Sequence, residues 1–204
     1  MSATPPIVVE MANAAEIIAD LAGRLPNRPG VIGITGPVGA GKSFLARQLS
    51  QCVISSDDYL PDYEQIPEAQ RDLPELADYA RLGEDLAQLK RGQPREIPVW
   101  SFQSHRRESQ RLVHPHDLIV CEGIHALYQT VVHSVDIKVF VEAPASVRWS
   151  RWEHLEITGE RGWGVEVARN FFHTVADPTF ERFAPAYRGL ADVVVVNGAW
   201  KPVR

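Results

Sequence analysis

Cysteine and methionine are scarce, with two of each in 204 residues. So few thiols exclude a disulfide framework or a cysteine-built metal cluster. Cys52 and Cys121, each in an apolar, strand-like run, read as small buried hydrophobes without redox function. No apolar run approaches the roughly 18 residues of a membrane span. The opening "MSATPPIVVE" has no basic segment leading into an apolar one, so the expectation is a soluble cytoplasmic protein with no secretory signal and no membrane contact. Lysine and arginine never form a block, and the formal net charge is −5, which argues against a nucleic-acid partner. No repeat of 20–50 residues and no low-complexity tract interrupts the chain.

What is present is the composition of an ordinary globular domain, 45% hydrophobic and 23% charged, and the length suits one domain over residues 1–204. Apolar residues recur at helical spacing in "ANAAEIIADLAGRL", which Pro26 and Pro29 end. "VIGIT" (31–35), "CVISS" (52–56), "DLIVCEG" (117–123), "DIKVFVEA" (136–143) and "DVVVV" (192–196) read as short buried strands. Helical patterns alternate with them: "KSFLARQL", "LADYARLGEDLAQLKRG", "PASVRWSRWEHLEI" and "VEVARNFFHTV". Tyr59 to Pro74 is acidic and proline-rich and reads as loop with at most a short helix, and residues 95–115 read as extended segments around a turn. Five apolar strands alternating with helices predict a three-layer α/β/α fold on a five-stranded parallel sheet.

Between the first strand and the helix after it lies "GPVGAGKS", in which Gly36, Gly41, Lys42 and Ser43 satisfy G-x-x-x-x-G-K-[ST]. Glycines let the backbone curl until successive N–H groups point at phosphate oxygens. The helix N-terminus adds partial positive charge, Lys42 can reach the β/γ-phosphates, and Ser43 can ligate Mg²⁺. The segment Gly36, Val38, Gly39, Ala40, Gly41, Lys42, Ser43 and Phe44 is therefore the candidate ATP-binding loop of a P-loop NTPase. Asp57 and Asp58 follow one strand and Glu122 ends another, so strands flanking the first would deliver these carboxylates to the same carboxyl edge. Transfer of a phosphoryl group to a hydroxyl needs a carboxylate to take its proton and Mg²⁺ to bridge the phosphates.

The combination "GITGPVGAGKS", "ISSDDYL", "IPVWSFQSHRR", "DLIVCEG" and "ERG" resembles the uridine kinase family, related to phosphoribulokinase and bacterial pantothenate kinase, over about residues 31–198. The resemblance implies an ATP- and Mg²⁺-dependent kinase of a small-molecule hydroxyl, with Asp57 as base and Ser43, Asp57 and Glu122 near the metal. It also implies a lid at about 152–166 carrying Arg161 and a substrate-side segment at about 58–116. Asp58, Trp100, Phe102, His105 and Trp163 are the expected acceptor contacts, while Arg106 and Arg107 are open between phosphate contact and solvated face. The chain departs from the family pattern at Leu60, where a tyrosine is expected. It departs again at Trp152, Leu155 and Trp163, where the lid would carry arginines beside Arg148, Arg151 and Arg161, with His154 a further candidate cation. Phe171 stands in place of a pyrimidine-reading glutamine. These changes predict poor use of uridine and cytidine. They leave open a nucleoside held by stacking, a non-nucleoside acceptor such as pantothenate, glycerate or a sugar, a regulatory nucleotide-binding protein, and a homo-oligomeric assembly.

Overall fold

The computed structural model describes residues 5–198, so the first residues of "MSATPPIVVE" lie outside it. A central sheet contains β1 (Ile7–Glu10), β2 (Gly30–Thr35), β3 (Cys52–Ser55), β6 (Leu118–Glu122), β7 (Ile137–Glu142) and β8 (Val193–Val196). Its order is β1-β8-β7-β2-β6-β3 and every pair is parallel. Among the described residues the sheet thus has six strands rather than the five expected. The additional strand, β1, is four residues long and lies at the edge with Ile7 and Val8 exposed, so it offers neither a buried run nor an alternation to read.

The buried strands put successive side chains on opposite faces. Ile32, Ile34, Val120, Val139, Val141, Val193 and Val195 pack beneath α1 (Met11–Gly23) and α2 (Lys42–Leu49), whose Ala14, Ile18, Leu45 and Ala46 complete that layer. Val31, Ile119, Cys121, Phe140 and Val194 face the other way, towards Leu82, Leu86 and Leu89 of α3 (Tyr79–Lys90). The same layer holds Phe180 of α6 (Asp177–Glu181) and Tyr187 of α7 (Ala184–Leu190). Each Val, Leu, Ile or Phe among them contributes about 1.5–3 kcal/mol by leaving water, so two apolar faces per strand fix the register of the whole sheet.

Outside the sheet, β4 (Arg95–Ser101) and β5 (Arg106–Val113) form an antiparallel hairpin. Residues 56–76 contain four 3₁₀ turns, Ser56–Tyr59, Tyr63–Gln65, Glu68–Gln70 and Pro74–Leu76, where loop with at most a short helix was expected. Pro61, Pro67 and Pro74 each remove a backbone donor and divide the segment. Helix α4 (Ala145–Ile157) leads through the glycine-bearing turn 158–164 into α5 (Val165–Phe171), then a π-helical turn, Phe172–Ala176, that runs into α6. This turn and its flanks form a third cluster, in which Trp152, Phe171 and Phe172 are buried with Trp149 and Trp163 against them.

Candidate active site

The loop between β2 and α2 is shaped by close backbone approach. A Cβ on Gly39 (φ +75°) would lie 2.5 Å from the Arg148 carbonyl oxygen, and one on Gly41 (φ +103°) 2.4 Å from the Asn197 amide nitrogen. Only glycine fits such left-handed, crowded positions. The Gly39 and Ala40 carbonyls are taken up by side chains: Arg151 donates to Gly39 O (2.8 Å) and Ala40 O (3.2 Å), as well as to Asn197 O (3.2 Å), and Asn197 Nδ2 donates to Ala40 O (2.7 Å). Arg148 is buried, donates to Ala143 O and Val38 O, and pairs with Asp177 at 2.6 Å. The two arginines expected in the lid therefore brace the loop's carbonyls from α4, and Arg151 also reaches the cavity inside the loop.

Inside the loop, a cavity of about 250 Å³ is lined by Val38, Gly39, Gly41, Lys42, Ser43, Phe44, Asp57, Glu122, Arg151 and Arg161, among others. Lys42 is buried, donates from Nζ to Pro37 O at 3.0 Å, and has its pKa lowered by burial against the opposing pull of Glu122 and Asp57. Ser43 Oγ donates to Glu122 Oε1 at 3.1 Å, and burial raises the Glu122 pKa. One buried oxygen of Asp57, Oδ1, has no hydrogen-bond partner, and burial raises its pKa while Lys42 and Arg161 hold it down. The Ser43 hydroxyl and the Asp57 and Glu122 carboxylates make a hard-oxygen set suited to Mg²⁺, and the Lys42 ammonium beside them suits phosphate. No group of three or more His, Cys, Asp or Glu forms a self-sufficient metal cage among the described residues.

A second, smaller cavity of about 50 Å³ adjoins the first and shares Val38, Asp57, Phe102, Ile124 and Arg161 with it. Leu60, Tyr63, Asp72, His105, Trp152, Trp163 and Phe171 complete its wall. Arg161 comes from the turn 158–164 with its guanidinium 4.1 Å from the Phe102 ring centre and 5.2 Å from that of Trp152; burial lowers its pKa and Asp57 opposes this. Asp72 is the residue that sequence reasoning missed. It is buried, accepts from Tyr63 Oη at 3.2 Å, and is pushed up to about 7 by burial and then by the charge of Asp57. His125 holds the Asp72 backbone, with Nε2 2.9 Å from the Asp72 carbonyl and Nδ1 2.8 Å from Tyr187 Oη, and burial takes its pKa down to about 4. The signal was one acidic residue among many in a proline-rich stretch, "AQRDLPEL", with no period to mark its inward face.

Of the expected acceptor contacts, Phe102, His105 and Trp163 reach this cavity. Two do not. Asp58 accepts from Trp100 N at 3.0 Å and lies 3.9 Å from Arg111, bracing the hairpin, since a 3₁₀ turn swings adjacent side chains about 120° apart. Trp100 is buried behind Tyr63, edge-on at 5.0 Å, because its strand face packs on Leu60 and Tyr63. Arg107 is also structural, donating to Tyr59 O and Leu60 O, whereas Arg106 is exposed near His105.

The sequence pattern of the Phosphoribulokinase / Uridine kinase family matches residues 63–201. A uridine kinase of Clostridium botulinum (strain Langeland) is 33% identical over 84% of this chain and 89% of its own length. One of Halobacterium salinarum is 33% identical over 82% and 80% respectively. Among solved structures, a candidate fructose transport system kinase of Silicibacter sp. TM1040 superposes with a TM-score of 0.66 at 19% identity, covering 87% of this chain and 98% of that one. A candidate uridine kinase of Bacillus stearothermophilus does so at 0.59 and 20%, covering 91% and 98%. At such identities the structural likeness speaks for the fold.

Proposed function

The chain belongs to the phosphoribulokinase / uridine kinase family, and from that premise we propose that it transfers the γ-phosphoryl group of ATP, with Mg²⁺, to a hydroxyl of a small molecule held beside Asp57. The single observation that carries this reading is that Asp57, whose buried Oδ1 has no hydrogen-bond partner, lines both the cavity that holds the loop lysine and the cavity that holds Asp72. Lys42, Arg161 and the loop N–H groups hold the phosphates, and Ser43 with Glu122 offers oxygen ligands to the metal. Ser43 and Glu122 would hold Mg²⁺ there, and the ion would supply positive charge against the negative charge that develops on transfer. Asp57 takes the acceptor's hydroxyl proton as the hydroxyl oxygen forms its bond to phosphorus. Arg161, folded over Phe102 and Trp152, excludes water and donates to the transferring group. Asp72 accepts a hydrogen bond from a second hydroxyl of the acceptor.

Asp57→Asn keeps the shape and removes the base. It should lower kcat on the order of 10²–10⁴-fold with nucleotide affinity retained, while Asp58→Asn, which loosens only the hairpin, should cost less. ADP release with an acceptor panel, alongside calorimetric ATP binding, reads both. Equal turnover by Asp57→Asn and the parent protein would remove Asp57 as the base.

A further inference from the structure

The lid tryptophan sits where a planar acceptor would stack. Trp163 lies on the imidazole of His105 with ring centres 4.6 Å apart and planes 15° from parallel. His105 in turn stacks on Tyr63 at 5.7 Å and 16°, and Phe171 meets Trp163 edge-on at 4.5 Å. His105 is the one described non-glycine residue with positive φ (+54°), which aims its ring into this stack at a local conformational cost.

Trp163 is held there by its own backbone. The Trp163 and Gly164 N–H groups donate to Glu156 Oε2 at 3.2 and 2.9 Å, and Glu156 Oε1 accepts from Trp152 Nε1 at 2.9 Å. Glu156 is buried, so these bonds are protected from water. The turn is also clasped to the hairpin tip: Gln103 Nε2 donates to Gly159 O at 2.5 Å, and a Cβ on Gly162 would lie 2.6 Å from Gln103 O. With the indole seated, about 50 Å³ remains, against the order of 150 Å³ that encloses one benzene-sized ring.

We propose that Trp163 is a specificity determinant that fills the aromatic seat on His105, so that the acceptor is a compact, neutral, non-aromatic polyol or sugar rather than a nucleoside. This rests on the phosphotransfer reading above. The remaining polar groups agree with it. Asp57 and Asp72 each accept from a hydroxyl, and two acids facing one space disfavour a third carboxylate brought by a hydroxy acid. The covalent step is unchanged: the polyol oxygen gains the phosphoryl group, ADP leaves, and the hydroxyl proton goes to Asp57.

The test compares the parent protein with Trp163→Ala, checked for folding by thermal melting, and with Trp163→Leu as the second variant if the first unfolds. ADP release is measured with glycerol, ribose, fructose, glycerate and uridine, and uridine binding is followed separately by ligand-observed NMR. The expected result is that a polyol or sugar exceeds uridine in kcat/KM in the parent by at least about tenfold. Emptying the seat should then move the uridine-to-polyol ratio upward by roughly 10–100-fold, with uridine binding seen only in the variant. Uridine or glycerate as the best parent acceptor, or a folded variant with no gain for uridine, overturns the proposal. Absence of ADP release with every compound would instead sink the phosphotransfer reading. The seat is still decided in that case: uridine binding equally to parent and variant refutes it, and binding to the variant alone supports it.

Discussion

Two buried carboxyls facing one another across a small space give the protein a pH response that surface charges cannot. The Asp72 carboxyl titrates at about 7 in the folded chain, well above the roughly 3.9 of a free aspartate. Its folded-state pKa is raised, so the stability it lends as a neutral acid is complete below about pH 4 and is lost as pH rises through 7. Asp72→Asn should therefore gain stability relative to the parent between pH 4 and pH 8, read as a growing difference in urea midpoints; a constant difference across that range would show Asp72 ionised at no cost. At this scale the loop was legible in the sequence, because its chemistry sits within eight consecutive residues, 36–43. Asp72, Asp58 and Trp100 were not. Which way each side chain turns depends on 3₁₀ turns and on packing behind the hairpin, and neither leaves a period in the sequence.

Among the elements, the turn 158–164 acts as one piece with the hairpin tip, since Gly162 has no room for a side chain against Gln103. Gly162→Ala should hold the turn a few tenths of an ångström or more away from the hairpin, admit water beside Arg161, and lower coupled turnover by about tenfold while raising ATP hydrolysis without acceptor. The ratio of ADP released to phosphorylated product measures this, and an unchanged ratio would mean that the clasp does not seal the site. Helices and central strands followed from apolar periodicity, and α2 runs from Lys42 to Leu49 as read from the sequence. The missing sixth strand had no such signal: an edge strand needs only one neighbour and leaves half its side chains in water, so the four residues of "IVVE" show neither a buried run nor an alternation.

For the molecule as a whole, nucleotide binding should report on global stability. A ligand at 100 times its Kd adds about 2.7 kcal/mol, which for a chain of this size corresponds to a rise in Tm of roughly 5–10 °C. Mg-ATP should give that shift in the parent protein, and Lys42→Ala, which removes the buried ammonium from the loop cavity, should lose most of it. An equal shift in both would dissociate the loop from the nucleotide. The edge pairing of β1 with β8 has a consequence of another kind. Among the described residues Ile7–Glu10 finds its one sheet partner in Val193–Val196, so a strand made early waits for one that lies far along the chain. Closing so long a loop adds only about 0.6 kcal/mol per doubling of length, so the penalty falls on rate and not on final stability. A chain interrupted before residue 193 leaves the outer edge of β7 open as well as β1 unpaired, and both are ready templates for aggregation of the unfinished protein.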